Sequence, residues 1–137
     1  MSKSSINIGR IILQLALGLL LTIAGIWSLM GGGDEGVSAI KTLIGNATVE
    51  KITVIAYGVI EIIAGVFLIL ALFIGDRFGT FGSVIMIIIT IVWIIAIVLI
   101  DFLSKRTGFL YRVDLLSWIY QFASHLIILG AIIYLKN

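Results

Sequence analysis

Four uninterrupted apolar runs dominate this 137-residue chain. Each approaches the roughly 20 residues that a helix needs to cross a hydrocarbon layer of about 30 Å. They cover Ile11 to Met30, Ile52 to Ile74, Phe81 to Ile100 and Leu115 to Leu135. In lipid, a helix satisfies its own backbone N–H and C=O groups over such a length, whereas a barrel strand would be about half as long and would alternate in polarity. The runs predict an all-α integral membrane protein, a four-helix antiparallel bundle in which residues 1–137 form a single transmembrane domain. Composition agrees, since 61% of residues are hydrophobic and 12% charged, and the mean hydropathy is +1.28, far from the soluble range. The first run is read as a retained helix because it exceeds the apolar core of a secretory leader, about 7–15 residues, and three further runs follow.

The longest connection, Gly31 to Lys51, carries Val37, Ile40, Leu43 and Ile44 near helical spacing, with Ser38, Lys41 and Thr42 opposite. Two readings fit: a short helix lying in the membrane interface, or a loop broken at Gly36 and Gly45. Asn46-Ala47-Thr48 matches a glycosylation sequon, a motif too short to carry weight. The links Gly75 to Thr80 and Asp101 to Asp114 are short, which makes sequential spans antiparallel neighbours. Lys3, Arg10, Arg77 and Lys136 fall on one side, and Lys41, Lys51, Lys105, Arg106 and Arg112 on the other. That count does not orient the chain, and the basic leader of the first span favours cytoplasmic termini.

The absence of Cys excludes disulfides, thiol catalysis and Cys-held iron–sulfur or zinc sites, and a single His cannot supply two axial haem ligands. No metal site is expected. A net charge of +2, dispersed among the loops, gives no footprint for nucleic acid. With no Pro, the chain lacks the proline-broken spans from which many transporters build substrate sites.

Within the spans, Gly18 and Gly25, and again Gly58 and Gly65, stand seven residues apart and share one face, the pattern of close helix packing. The segments around these pairs match at an offset of 40 residues, for which shared packing chemistry is a sufficient cause. Glu61 is the outstanding polar residue, because a charge at mid-bilayer costs roughly 2.5–3.5 kcal/mol on insertion scales and must find partners. It shares a face with Tyr57, Gly58, Ala64 and Gly65. The fourth span carries a polar stripe of Asp114, Ser117, Trp118, Gln121, Ser124 and His125, whereas Asp101 closes the third span, where interfacial solvation is expected. Spans two and four enter from the same side, and Glu61 and His125 lie nine and ten residues beyond their starts, about 14–15 Å deep. The sequence therefore predicts that Glu61 and His125 pair or flank a small polar cavity, with Tyr57, Trp118 and Gln121 lining its approach. The plainer alternative is that these groups hydrogen-bond neighbouring helices and fix their register.

Gly9-Arg10 before the first span, Ala24-Gly25-Ile26-Trp27-Ser28-Leu29 at its end, the extramembrane segment, then Glu61 followed by Gly65 and Leu68 to Leu70, resemble the DoxX-like family of small four-helix membrane proteins. Ser28 stands where a Lys would be expected of that family. The resemblance covers most of the chain and implies an accessory subunit of a quinone-linked redox complex in a bacterial or archaeal cytoplasmic membrane, without catalytic activity of its own. Its partners would be the lipid bilayer and other membrane subunits or further copies of this chain. A quinone is the one cofactor it admits, and a pocket of Glu61, Gln121 and His125 walled by Trp118 and Tyr57 would offer such a ring proton donors and aromatic surface. A non-catalytic assembly subunit and a small channel or proton path are the competing classes.

Overall fold

The computed structural model describes residues 7–104, 109–111 and 114–136. Lys3, Lys105, Arg106 and Arg112 of the charge count lie outside the described residues. Among the described residues five α-helices form: α1 (Ile8–Leu29), α2 (Glu35–Leu43), α3 (Ala47–Ile74), α4 (Gly79–Ile97) and α5 (Leu115–Lys136). Four of them, α1, α3, α4 with its continuation to Leu103, and α5, are long and apolar enough to cross a membrane. Among the described residues there is no strand.

Side-chain caps set the helix starts. Asn7 accepts from the Arg10 amide at the head of α1, and Asn46 accepts from the Thr48 and Val49 amides at 3.0 and 3.1 Å at the head of α3. The sequon Asn is thus a helix cap. It starts α3 five residues before the apolar run at Ile52, because Thr48, Glu50 and Lys51 suit a first turn although they are polar. Asp34 caps α2 in the same way, accepting from Gly36 and Val37. The connection between the first two spans is therefore helical, and α2 buries Val37, Ala39 and Ile40 against its neighbours. At its far end α4 widens into a π-helical turn, Val98–Leu103.

The closest helix pair is α1 with α3. A Cβ placed on Gly25 would come within 2.5 Å of the Gly58 carbonyl oxygen, and one on Gly65 within 2.5 Å of the Gly18 carbonyl oxygen. Gly18 thus meets Gly65 and Gly25 meets Gly58, so the two helices run antiparallel with their small faces together. The offset-40 match has this packing as its counterpart: two similar glycine faces turned toward each other. Across the same contact, Gln14 Nε2 donates to the Leu68 carbonyl at 2.8 Å. Trp93 and Asp101 of the α4 arm reach His125 and Trp118 of α5 respectively, which makes that pair antiparallel too. The start of α1 meets the end of α5 through Arg10 Nη2, which donates to the Leu135 carbonyl at 3.0 Å. The main core lies between these helices and includes Leu21, Phe67, Leu68, Trp93 and Ile132.

Candidate functional site

On α5 the spacing of Trp118, Gln121 and His125 puts all three on one face, and that face meets the π-helical turn after α4. Asp101 sits in this turn with 0% exposure. Its carboxylate lies 2.8 and 2.9 Å from His125 Nδ1 and accepts from Gln121 Nε2 at 2.6 Å. A π turn breaks the regular helical hydrogen-bond register, and π turns recur at functional sites for this reason. Here the Asp101 carbonyl accepts from Trp118 Nε1 at 2.7 Å. Trp118 is stacked on Phe122 at 5.1 Å and meets Phe102 edge-on at 5.9 Å. Trp93 of α4 donates from Nε1 to the His125 carbonyl at 3.3 Å and lies edge-on to the imidazole.

The second cluster is built on α3. Tyr57 and Glu61 are one turn apart and share a face, and the Tyr57 hydroxyl donates to Asp34 Oδ2 at 3.3 Å. Glu61 is 4% exposed, and its carboxyl faces those of Asp34 and the Tyr57 phenol. Ser28 of α1 approaches Glu61 Oε2 at 3.5 Å, but its hydroxyl also reaches the Ala24 carbonyl at 2.9 Å. With one hydrogen for two acceptors, the Ala24 carbonyl takes the stronger bond and Glu61 at most a weak share. Glu61 Oε1 is buried with no hydrogen-bond partner.

Glu61 and His125 do not pair. His125 is engaged by Asp101, and Glu61 by the groups around Asp34. Each is held by a different carboxylate, and the Trp93 indole lies against both groups: it lines a cavity of about 20 Å³ with Tyr57 and Glu61, and a cavity of about 880 Å³ with His125. The five expected ligand residues thus divide into Tyr57 with Glu61 and Trp118 with Gln121 and His125. Sequence reasoning missed the carboxylates that organise each group: Asp101 was expected in the solvated interface, and Asp34 was not singled out within the Gly31 to Lys51 connection. The cap pattern Asp34-x-Gly36-Val37 was the available signal for the first.

The larger cavity touches one member of each cluster, Asp34 and His125. Asp34 and Ser38 line it from one side, His125 and Trp93 from the other, and Leu19, Leu20, Ile23 and Trp27 of α1 form its outer wall. These α1 side chains are also exposed on the molecular surface, so the space opens laterally toward the surroundings of the helices. At the opposite end, near the chain termini, Arg10, Gln14 and Lys136 line a separate cavity of about 540 Å³. Among the described residues, no group of three or more His, Asp or Glu side chains could hold a metal ion. Comparison with protein-family models, with curated proteins and with solved structures gives no match.

Proposed function

We propose that this chain is an integral membrane protein of four spans in an antiparallel bundle, and that the cavity between α1, α2, α4 and α5 receives a small amphipathic ring compound of the quinone class. Membrane embedding is supported by the broad apolar faces that every span leaves exposed, such as Ile23, Ile63, Ile91 and Ile127, which water would drive to aggregate. The observation that carries the ligand reading is the chemistry of the 880 Å³ cavity. Its size lies within the range of small-molecule pockets, about 300–1,000 Å³. Its walls are mainly apolar, two Trp rings offer stacking surface, and Asp34 and His125 supply hydrogen-bonding groups at separate points. The lateral opening along α1 gives a hydrophobic molecule an entry from the bilayer.

In this reading the protein is an accessory subunit that holds or passes a redox carrier rather than an enzyme by itself, and the DoxX-like resemblance supports the redox association. A pure assembly role is less well supported, since Asp101, Gln121, His125 and Trp118 bond within the chain and do not face an outside helix. The basic leader of the first span, Arg10 among it, favours placing the end with the chain termini on the cytoplasmic side. A reporter fused to the carboxyl terminus tests that orientation. The ligand reading is tested by titrating a short-chain quinone into protein in lipid nanodiscs while following tryptophan fluorescence. Saturable quenching that is lost when Trp93 is replaced by Phe and weakened in His125→Ala supports it. Quenching that rises linearly without saturation would sink it.

A further inference from the structure

We propose that Asp34 and Glu61 form an exchangeable-proton site, in which the Glu61 carboxyl donates to the Asp34 carboxylate and Asp34 connects the pair to the large cavity. The inference is independent of what occupies that cavity. Its starting point is the hydrogen balance around Glu61. The carboxyl is 4% exposed, Oε1 has no partner, and Ser28 gives Oε2 only a 3.5 Å contact while bonding the Ala24 carbonyl at 2.9 Å. Tyr57 lies within reach of both carboxyls but has a single hydrogen, which it directs to Asp34 Oδ2 at 3.3 Å. Two carboxyls face each other here, and among the described residues no Lys, Arg or His forms an ion pair with either. An ionised pair in this setting would leave the buried Glu61 charge without a counter-ion and beside a second negative charge. One proton between them removes a charge and supplies the missing donor.

The hydrogen bonds also distinguish the two carboxyls. Asp34 Oδ1 accepts the Gly36 and Val37 amides at 3.0 and 3.2 Å, and Oδ2 accepts from Tyr57. With three donors aimed at its two oxygens, Asp34 is the acceptor of the pair. Glu61 has no comparable set, so it is the acid of the pair. The titratable groups facing Glu61 are Asp34, from the link between α1 and α2, and Tyr57, on α3; α1 presents Ser28, and α4 presents Ile89, Val92 and Trp93. His125 is taken by Asp101.

A metal cation fits less well than a proton. A hard cation takes about six oxygen ligands, whereas the space beside Glu61 is about 20 Å³, enough for a single water, and apart from Tyr57 and Glu61 it is lined by Leu21, Ile60, Ala64, Ile89, Val92 and Trp93. Asp34 is partly exposed and lines the large cavity, which gives the proton its route in and out.

Dicyclohexylcarbodiimide, which attacks protonated carboxyls in apolar surroundings, is the probe. On the intact protein in lipid nanodiscs, mass mapping should find the adduct on Glu61, decreasing as pH is raised and unaffected by sodium. Infrared spectra of the same sample should show a protonated-carboxyl band that shifts in D₂O, disappears in Glu61→Gln and moves in Asp34→Asn. Absence of the adduct at every pH, a band that survives Glu61→Gln, or protection by sodium would each overturn the proposal. The wild-type measurements decide the matter even if a variant fails to fold.

Discussion

Substitution of Gly65 by Ala tests the packing on which the rest of the molecule depends. A Cβ at position 65 would stand 2.5 Å from both the Gly18 carbonyl oxygen and the Thr22 amide nitrogen, where real Cβ contacts stay beyond 3.0 Å. Both atoms belong to the backbone of α1, so no rotamer change relieves the overlap and the helices must part locally by about half an ångström. Overpacking of this kind costs about 1–3 kcal/mol. Opposing it, Ala is a better helix residue than Gly by up to about 1 kcal/mol. The steric term wins, and we expect a net loss of about 1–2 kcal/mol. Gly130 in α5 provides the control, because a Cβ there meets nothing within 4 Å. Gly130→Ala should therefore be neutral or stabilising by up to about 1 kcal/mol. Reversible unfolding in mixed micelles titrated with dodecyl sulfate, followed by circular dichroism, measures both. A Gly65→Ala protein as stable as wild type, or a Gly130→Ala protein damaged equally, would refute the reasoning.

Asp101→Ala should be the most damaging polar substitution, because it leaves the Gln121 and His125 donors buried without their acceptor; a loss of about 3–5 kcal/mol is expected in the same titration. Asn46→Ala removes the acceptor for the Thr48 and Val49 amides, which should cost about 1 kcal/mol and speed hydrogen exchange in the first turn of α3 while leaving its middle unchanged. Gln14→Leu deletes one interhelical bond to the Leu68 carbonyl, and a loss near the membrane-protein average of about 0.6 kcal/mol should be read from the unfolding midpoint.

The order and number of the long helices were legible in the apolar runs, because the need to satisfy backbone polar groups over some 20 apolar residues leaves little choice but helix. The glycine pairs were legible as small faces for the same local reason: seven residues bring a helix back to nearly the same side. So was the one-sided stripe of Trp118, Gln121 and His125. All of these follow from periodicity within a single segment.

Partners across segments were not. Which face meets which depends on where each helix starts and on what stands between, and neither is a property of one segment. Glu61 faces Asp34 and Tyr57, whereas His125 is taken by Asp101, with the Trp93 indole against both groups. Asp101 closed a span where solvent was expected and Asp34 lay unremarked in a connection, yet a nine-residue helix packed on α3 and a π turn at the end of α4 turned both toward the interior. The sequence by itself determined that this protein has four apolar helices with small and polar sides. Only the tertiary structure decided that those sides make two carboxylate-centred clusters facing one cavity, because burial and hydrogen-bond satisfaction are settled between helices rather than along them.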